Sequence, residues 1–287
     1  MNISASASVS VPDAFAYCER LAKSHYENFT VASFLLPREE RKHICSIYAF
    51  CRYTDDIGDE AKGNRLALLD KWENDLELCF NGRPTSTSMV ALQQTVHEFH
   101  MPKELFTRII KANRIDQGAG RFETYADVLN YCEYSANPVG RMVLYLFGYS
   151  DPERQRLSDA TCTALQLTNF WQDVAGDYKR GRIYIPMEDM RRFGYTEQML
   201  SKGEYNSGFR ELMSFEVDRA AKLFDEGWKL TGLVTGALRT DLKLFSLGGM
   251  AVLNGIRRIE YDTIHRRPTV SRLRKTMLLA SVLMRLK

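Results

Sequence analysis

Ala164-Leu165-Gln166-Leu167-Thr168-Asn169-Phe170-Trp171-Gln172-Asp173-Val174-Ala175-Gly176-Asp177 is the stretch whose reading decides the fold. It holds no proline and reads as helix. At about 3.6 residues per turn, Asn169, Asp173 and Asp177 stack at successive i, i+4 positions, with Gln166 a turn earlier. Leu165, Leu167, Phe170, Trp171 and Val174 surround that polar stripe. A helix apolar on most sides belongs in a core, and a carboxylate there must be paired or must bind a cation. Oxygen ligands of this kind suit magnesium, held by a few carboxylates together with a substrate phosphate. Taken alone, the stretch is read more readily as a solvated acidic face that happens to keep helical spacing.

A second acidic stretch changes the balance. Tyr48-Ala49-Phe50-Cys51-Arg52-Tyr53-Thr54-Asp55-Asp56-Ile57-Gly58-Asp59-Glu60 also reads as helix. Tyr48, Arg52, Asp55, Asp56 and Asp59 fall on one side of it by the i, i+3, i+4 rule. Carboxylates of two such stripes, facing each other across a core, would repel and raise each other's pKa values. Bound cations bridging to a diphosphate remove that repulsion. Two acidic stripes on separate apolar helices are what ionising an allylic diphosphate needs: metals neutralise the leaving group and a water-poor pocket holds the carbocation.

The bulk properties fit a soluble globular chain. Its 287 residues can bury a sizeable core, 45% are hydrophobic and 26% charged, and the net charge is +3. That mild positive balance gives no argument for nucleic acid. Cys18, Cys45, Cys51, Cys79, Cys132 and Cys162 are scattered through apolar helical patterns without metal-ligand spacing. They read as buried free thiols in a reducing cytosol. No stretch approaches the roughly 20 apolar residues of a membrane span, and the N-terminus lacks a signal peptide's apolar core.

Along the chain, Met1 to Val11 reads as loose, and Pro12-Asp13 as a helix start. That helix carries Tyr17, Leu21, His25 and Phe29. Pro37-Arg38-Glu39-Glu40 opens the helix that runs into the first acidic stripe. Further helices are expected over 66–80, 89–100, 102–117, 125–146, 151–178, 209–230, 240–263 and 270–286. A basic, irregular loop, Lys179 to Pro186, follows the second stripe. No alternating strand pattern, repeat period or linker stands out. One all-α domain over residues 1–287 is expected.

Pro138 falls within Tyr131-Cys132-Glu133-Tyr134-Ser135-Ala136-Asn137-Pro138-Val139-Gly140-Arg141. It either kinks a helix that lines a pocket, with Tyr131 and Asn137 inward and Arg141 one turn on, or marks a helix boundary. In the first case the carbonyl of Tyr134, freed of its usual donor, and Asn137 would hold a water able to capture a cation. His97 and His100 lack a third ligand and read as surface histidines. His265-Arg266-Arg267, with Arg272, Arg274 and Lys275, reads as a solvated basic face, with a membrane surface as the alternative. Gly118-Ala119-Gly120 lacks the flanks of a phosphate loop, so no nicotinamide cofactor is expected.

Together these residues resemble the squalene/phytoene synthase family. The resemblance extends from His25-Tyr26-Glu27-Asn28-Phe29 to Tyr261-Asp262 and implies an all-α isoprenoid-synthase bundle with a central active-site cavity. It implies metal ligands at Asp55, Asp56, Asp59, Asn169, Asp173 and Asp177, with magnesium as the cofactor. Arg52 matches the family's diphosphate-contacting arginine, and Tyr48, Tyr131 and Tyr261 its pocket tyrosines. Substrate contacts are expected at His25, Phe29, Arg52, Gln166, Tyr184 and Tyr261, and catalytic roles at Tyr48, Arg52, Tyr131 and Asn137.

Two features look like one branch. Ser135-Ala136-Asn137-Pro138-Val139-Gly140-Arg141 replaces the glycine-rich segment usual in phytoene synthases, and Gln172 stands where many relatives have arginine. Both resemble the hydroxysqualene synthases of bacterial hopanoid pathways. Those enzymes convert presqualene diphosphate to hydroxysqualene, and a partner synthase supplies presqualene diphosphate from farnesyl diphosphate. The alternative is a full condensing synthase making presqualene diphosphate, squalene, dehydrosqualene or phytoene. A cytoplasmic protein, with peripheral membrane contact as an option, is expected. A non-catalytic scaffold would be expected to lose acids from the stripes, and here every one is present.

Overall fold

The computed structural model describes residues 9–24, 38–118 and 120–284. Its helices are α1 (Val11–Ser24), α2 (Arg38–Asp59), α3 (Arg65–Asn81), α4 (Thr87–Glu98), α5 (Lys103–Ile115), α6 (Tyr125–Ser135), α7 (Asn137–Leu146), α8 (Pro152–Gln172) and α9 (Val174–Lys179). Then come α10 (Met187–Arg192), α11 (Glu197–Ser201), α12 (Ser207–Trp228), a 3₁₀ turn (Lys229–Gly232), α13 (Gly236–Arg258) and α14 (Arg272–Met284). Among the described residues the fold is all-α, with one isolated bridge, Arg121 to Ile183, in place of any sheet.

Local chemistry sets many of the helix ends. Asn64 caps α3 by accepting from the N–H of Ala67 at 3.1 Å, and Asn206 caps α12 through Phe209 at 2.9 Å. Thr124 and Asp127 form a reciprocal capping box at the start of α6. The long helix expected over 125–146 is two. Ala136 lies between them with φ −117° and ψ −48°, and its N–H still reaches the carbonyl of Cys132 at 3.0 Å. Pro138 falls in the first turn of α7, where a missing N–H costs nothing, so the boundary alternative holds and the mid-helix kink does not. The short helices α10 and α11 were not expected, since six and five residues are too few to show a 3.6-residue period.

The helices divide into two compact units, one of residues 1–118 with 138–155 and the other of residues 119–137 with 156–287. In the first, α1, α2 and α4 pack over Ala14, Phe15, Cys18, Cys45, Ala49 and Ala91. A larger cluster gathers Phe50, Trp72, Leu76, Met89, Leu92, Phe106, Ile110 and Met142. Trp72 anchors it, with its ring stacked on Phe50 and Tyr53 and its Nε1–H donated to Thr54 Oγ1 at 2.9 Å. In the second unit α13 packs against α12 and α14.

The six cysteines are free, four of them buried, and burial pushes the thiols of Cys18, Cys79 and Cys132 up to about 12. The second unit also buries a carboxyl without a charge partner. Asp241, on α13, is 5% exposed, its Oδ1 has no hydrogen-bond partner among the described residues, and burial raises its pKa to about 8. A folded-state pKa above the unfolded one means the native chain binds the extra proton, so stability falls as pH rises from about 4 towards about 8. Asp241→Asn keeps the shape and removes the titration. At pH 8 it should be more stable than wild type by on the order of 5 kcal/mol, about 1.4 kcal/mol for each pH unit between the two pKa values, and its melting temperature correspondingly higher, with the gap shrinking towards pH 5. A gap independent of pH would show that the carboxyl is not neutral in the fold.

Candidate active site

In the first unit, α2 presents its acidic side away from the core. Phe50, Thr54 and Ile57 are buried on the inner side, and Thr54 both accepts from Trp72 and donates to the Phe50 carbonyl at 2.8 Å. That lock fixes the helix's rotation, and Tyr48, Arg52, Asp55, Asp56 and Asp59 follow by helical spacing. Tyr48, Arg52 and Asp56 are half-buried, while Asp55 and Asp59 are exposed. Arg52 Nη2 lies 2.7 Å from Asp56 Oδ1 and 3.2 Å from Glu60 Oε1. Asp56 is thus relieved by an arginine, and the acidic side of α2 is half-buried or exposed, not packed into the core as the sequence pattern suggested. From α5, Asn113 Nδ2 donates to Asp55 Oδ1 at 3.1 Å, and Gln117, just past that helix, donates to the Gly58 carbonyl at 3.0 Å.

In the second unit, the helix expected over 151–178 breaks at Asp173. This residue adopts φ −121° and ψ 27° between α8 and α9. The hydrogen-bond ladder nevertheless runs through the break: the Asp173 N–H reaches the Asn169 carbonyl at 3.1 Å, and the Asp177 N–H reaches that of Asp173 at 2.9 Å. The i, i+4 stacking therefore survives. Leu167, Phe170, Trp171 and Val174 are buried, Gln166, Asp173 and Asp177 are half-buried, and Asn169 is exposed. Arg267 Nε stands 3.3 Å from Asp173 Oδ1, and Gln172 Nε2 donates to the Pro268 carbonyl at 2.5 Å. The segment before α14, weighed from sequence as a solvated basic face, is tied to this stripe by these two contacts.

Beside the stripe lies an aromatic group. Tyr184 stacks on Phe170 with ring centroids 3.7 Å apart and planes 6° apart. Phe122 stacks on Tyr184 at 5.6 Å, and Tyr131 lies 5.3 Å from Phe122 and 6.1 Å from Phe170. The backbone that carries Tyr184 is held by Gly120, Phe122 and Glu123, whose carbonyls accept from Ile183, Met187 and Glu188. Arg121 closes the arrangement with a bidentate pair to Glu197. The loop over 179–186 is thus an ordered strap.

Asn137 is 5% exposed, and its Oδ1 accepts from Thr163 Oγ1 of α8 at 2.9 Å. That oxygen braces α8, which weakens its proposed use in holding a water. Tyr261 is half-buried in a tight turn after α13, with φ +68° beside Glu260 at +55°, and its hydroxyl accepts from Ser214 at 3.2 Å. Two successive left-handed non-glycine residues store strain. His97 and His100 are exposed, as expected. His25 and Phe29 lie outside the described residues, as do Met1 to Ser8.

Phe122, Asn113 and Gln117 were missed from sequence, and Arg267 was placed only in a solvated basic face. Arg267 meets Asp173 across 94 positions, a separation that no local period can reveal. Gln117 could have been noticed as a polar residue one helical turn after Asn113, but nothing in the pattern aims it at α2.

The donor set of both stripes is oxygen throughout, which suits a hard divalent cation. Among the described residues no group of three or more His, Cys, Asp or Glu side chains is arranged to hold a metal ion. Magnesium usually keeps waters and takes oxygens from a phosphate, so it needs fewer protein ligands than such a cage. Asp56 and Asp173 are each paired with an arginine in this structure, and a cation would compete with that pairing.

Residues 22–274 match the squalene/phytoene synthase family. The chain is 31% identical over 282 residues to a phytoene synthase of Arthrospira platensis, covering 93% of this chain and 91% of that protein. Among solved structures it is similar to the squalene synthase HpnC from Alicyclobacillus acidocaldarius, with 48% identity, a TM-score of 0.85, and coverage of 91% of this chain and 99% of the other. A dehydrosqualene synthase solved with a ligand is 30% identical at a TM-score of 0.89, covering 96% of this chain and 97% of that one. The two acidic helices, the ordered strap and these likenesses together make the chain an enzyme of the squalene/phytoene synthase family.

Proposed function

We propose that the chain is a magnesium-dependent hydroxysqualene synthase, converting presqualene diphosphate and water to hydroxysqualene and diphosphate. The observation that carries this reading is Gln172. Its neutral side chain is bound to the Pro268 carbonyl, at a position where the resemblance to the family implies an arginine in many members. One positive charge fewer suits a site that binds one diphosphate. The 48% identity to the squalene synthase HpnC, against 31% to the phytoene synthase, supports C30 squalene-type chemistry over phytoene formation.

Asp55, Asp56, Asp59, Asn169, Asp173 and Asp177 would hold the magnesium, which when bound neutralises the departing diphosphate. Arg52 adds fixed positive charge on α2. As the carbon–oxygen bond breaks, the diphosphate leaves with the electron pair and the cyclopropylcarbinyl cation rearranges. Phe122, Tyr131, Phe170 and Tyr184 exclude water around their cluster and offer ring faces to a cation, although one face of Phe170 is already covered by Tyr184. A single water then adds and loses its proton, so no hydride donor is needed.

The chain is read as one functional domain over residues 1–287. A presqualene diphosphate synthase is its pathway partner. Among the described residues no helix is long and apolar enough to cross a membrane. Leu273 and Met277, 68% and 59% exposed beside the exposed Arg274, support peripheral contact with a membrane surface by this cytoplasmic enzyme.

The likeness to phytoene and dehydrosqualene synthases favours a second reading, a full condensing synthase. Purified protein with magnesium, given farnesyl diphosphate or presqualene diphosphate separately, distinguishes them by chromatography. Hydroxysqualene from presqualene diphosphate, with farnesyl diphosphate left unconsumed, is expected. Consumption of farnesyl diphosphate alone to a C30 product would overturn the reading.

A further inference from the structure

The first acidic motif is braced from α5 by a residue outside it. Asn113 is 6% exposed, and its Nδ2 donates both to Asp55 Oδ1 at 3.1 Å and to the Ile109 carbonyl at 3.3 Å. Gln117 Nε2 ties the Gly58 carbonyl to the Asn113 carbonyl, with both bonds at 3.0 Å. The two helices can approach this closely because residue 58 has no side chain. A Cβ there would stand 2.1 Å from Asn113 Oδ1 and 3.1 Å from its Cγ. The amide's orientation follows from the chemistry, since reversing it would set a carbonyl oxygen against the carboxylate.

An aspartate on an exposed helix face has several χ1 rotamers to choose from, and holding one costs entropy. An arginine could hold it but would compete with a cation for the negative charge. A neutral amide holds one oxygen without itself neutralising the charge. We propose that Asn113 is a positioning residue for Asp55: it holds Oδ1 and so presents Oδ2 to the cation, and Gly58 is what lets it reach. This rests on the metal-binding role proposed for Asp55.

The test is titration of full-length protein with Mn²⁺ in the presence of inorganic diphosphate, followed by the electron paramagnetic resonance of free and bound metal. Asn113→Ala should weaken the apparent Mn²⁺ affinity about tenfold, the loss typical of removing a residue that orients a metal ligand. Gly58→Ala should do the same from the other side, by pushing the Asn113 side chain off Asp55. Their effects should not add: the double variant should bind Mn²⁺ no more weakly than the worse single one. A purely structural role would lower the melting temperatures and leave Mn²⁺ affinity alone. Affinity within twofold of wild type for Asn113→Ala, with a clear loss for Asp55→Asn, overturns this inference alone. No loss in either variant overturns it together with the metal role of Asp55. Additive losses in the double variant would show that Gly58 and Asn113 act separately, against the proposal.

Discussion

Asp56→Asn and Asp173→Asn are each expected to lower kcat by about 10²–10³-fold, the scale on which removing one preorganised electrostatic contact to a transition state acts. Each exchange keeps shape and removes one negative charge from a stripe. Loss of an interaction made mainly as the diphosphate departs should reduce kcat and kcat/KM together, and excess magnesium should restore neither. The fold should survive. Both carboxylates are partly exposed and sit in arginine pairs, at 2.7 Å from Arg52 and 3.3 Å from Arg267. Pairs of that kind contribute about 0–1 kcal/mol, so melting temperatures should shift by no more than a few degrees. The gain in stability that relief of crowded carboxylates would bring is not expected at Asp56, because Arg52 already relieves it. Activity near wild type in both variants, with magnesium saturating, would remove the acidic stripes from the mechanism.

Gly176→Ala should separate stability from activity. Gly176 lies within α9, and alanine in a helix interior is favoured over glycine by up to about 1 kcal/mol. Yet a Cβ at this position would stand 2.5 Å from Asp173 Oδ1 and 2.9 Å from its Cγ. The carboxylate is the movable end of a side chain, so it would swing aside at little cost to the fold. Misplacing a catalytic contact by about 1 Å can cost up to 10²-fold, so turnover should drop between tenfold and a hundredfold. Thermal melting and steady-state kinetics on the same preparation check both signs. A variant that loses stability and keeps its rate would show that Asp173 does not need the position it holds here.

The sequence shows most where periodicity is long. α2 has 22 residues and α8 has 21, with the hydrogen-bond ladder running on past α8 through Asp173 to Asp177, so acidic and apolar sides separate over enough turns for both stripes to be legible in register. The break at Asp173 was not, because the hydrogen-bond ladder and the i, i+4 spacing pass through it unchanged. Pro138 left a kink and a boundary equally open, and the geometry of Ala136 decides for the boundary. Burial was the least legible property. A polar stripe bordered by apolar residues reads as buried, but Asp55, Asp59 and Asn169 are exposed while their apolar neighbours fill the core. The residues that hold the site in place, Asn113 on Asp55 and Arg267 on Asp173, act over separations of 58 and 94 positions. Local pattern carries no trace of such contacts.

Water as the species that ends the reaction is the central claim, and isotope labelling tests it most directly. Purified protein, magnesium and presqualene diphosphate would be incubated in H₂¹⁸O without any reduced nicotinamide, and the product examined by mass spectrometry. The expected product is hydroxysqualene carrying a single ¹⁸O atom, formed at an undiminished rate when NADPH is omitted. Squalene free of label and formed only when NADPH is supplied would contradict it, because hydride rather than water would then quench the cation.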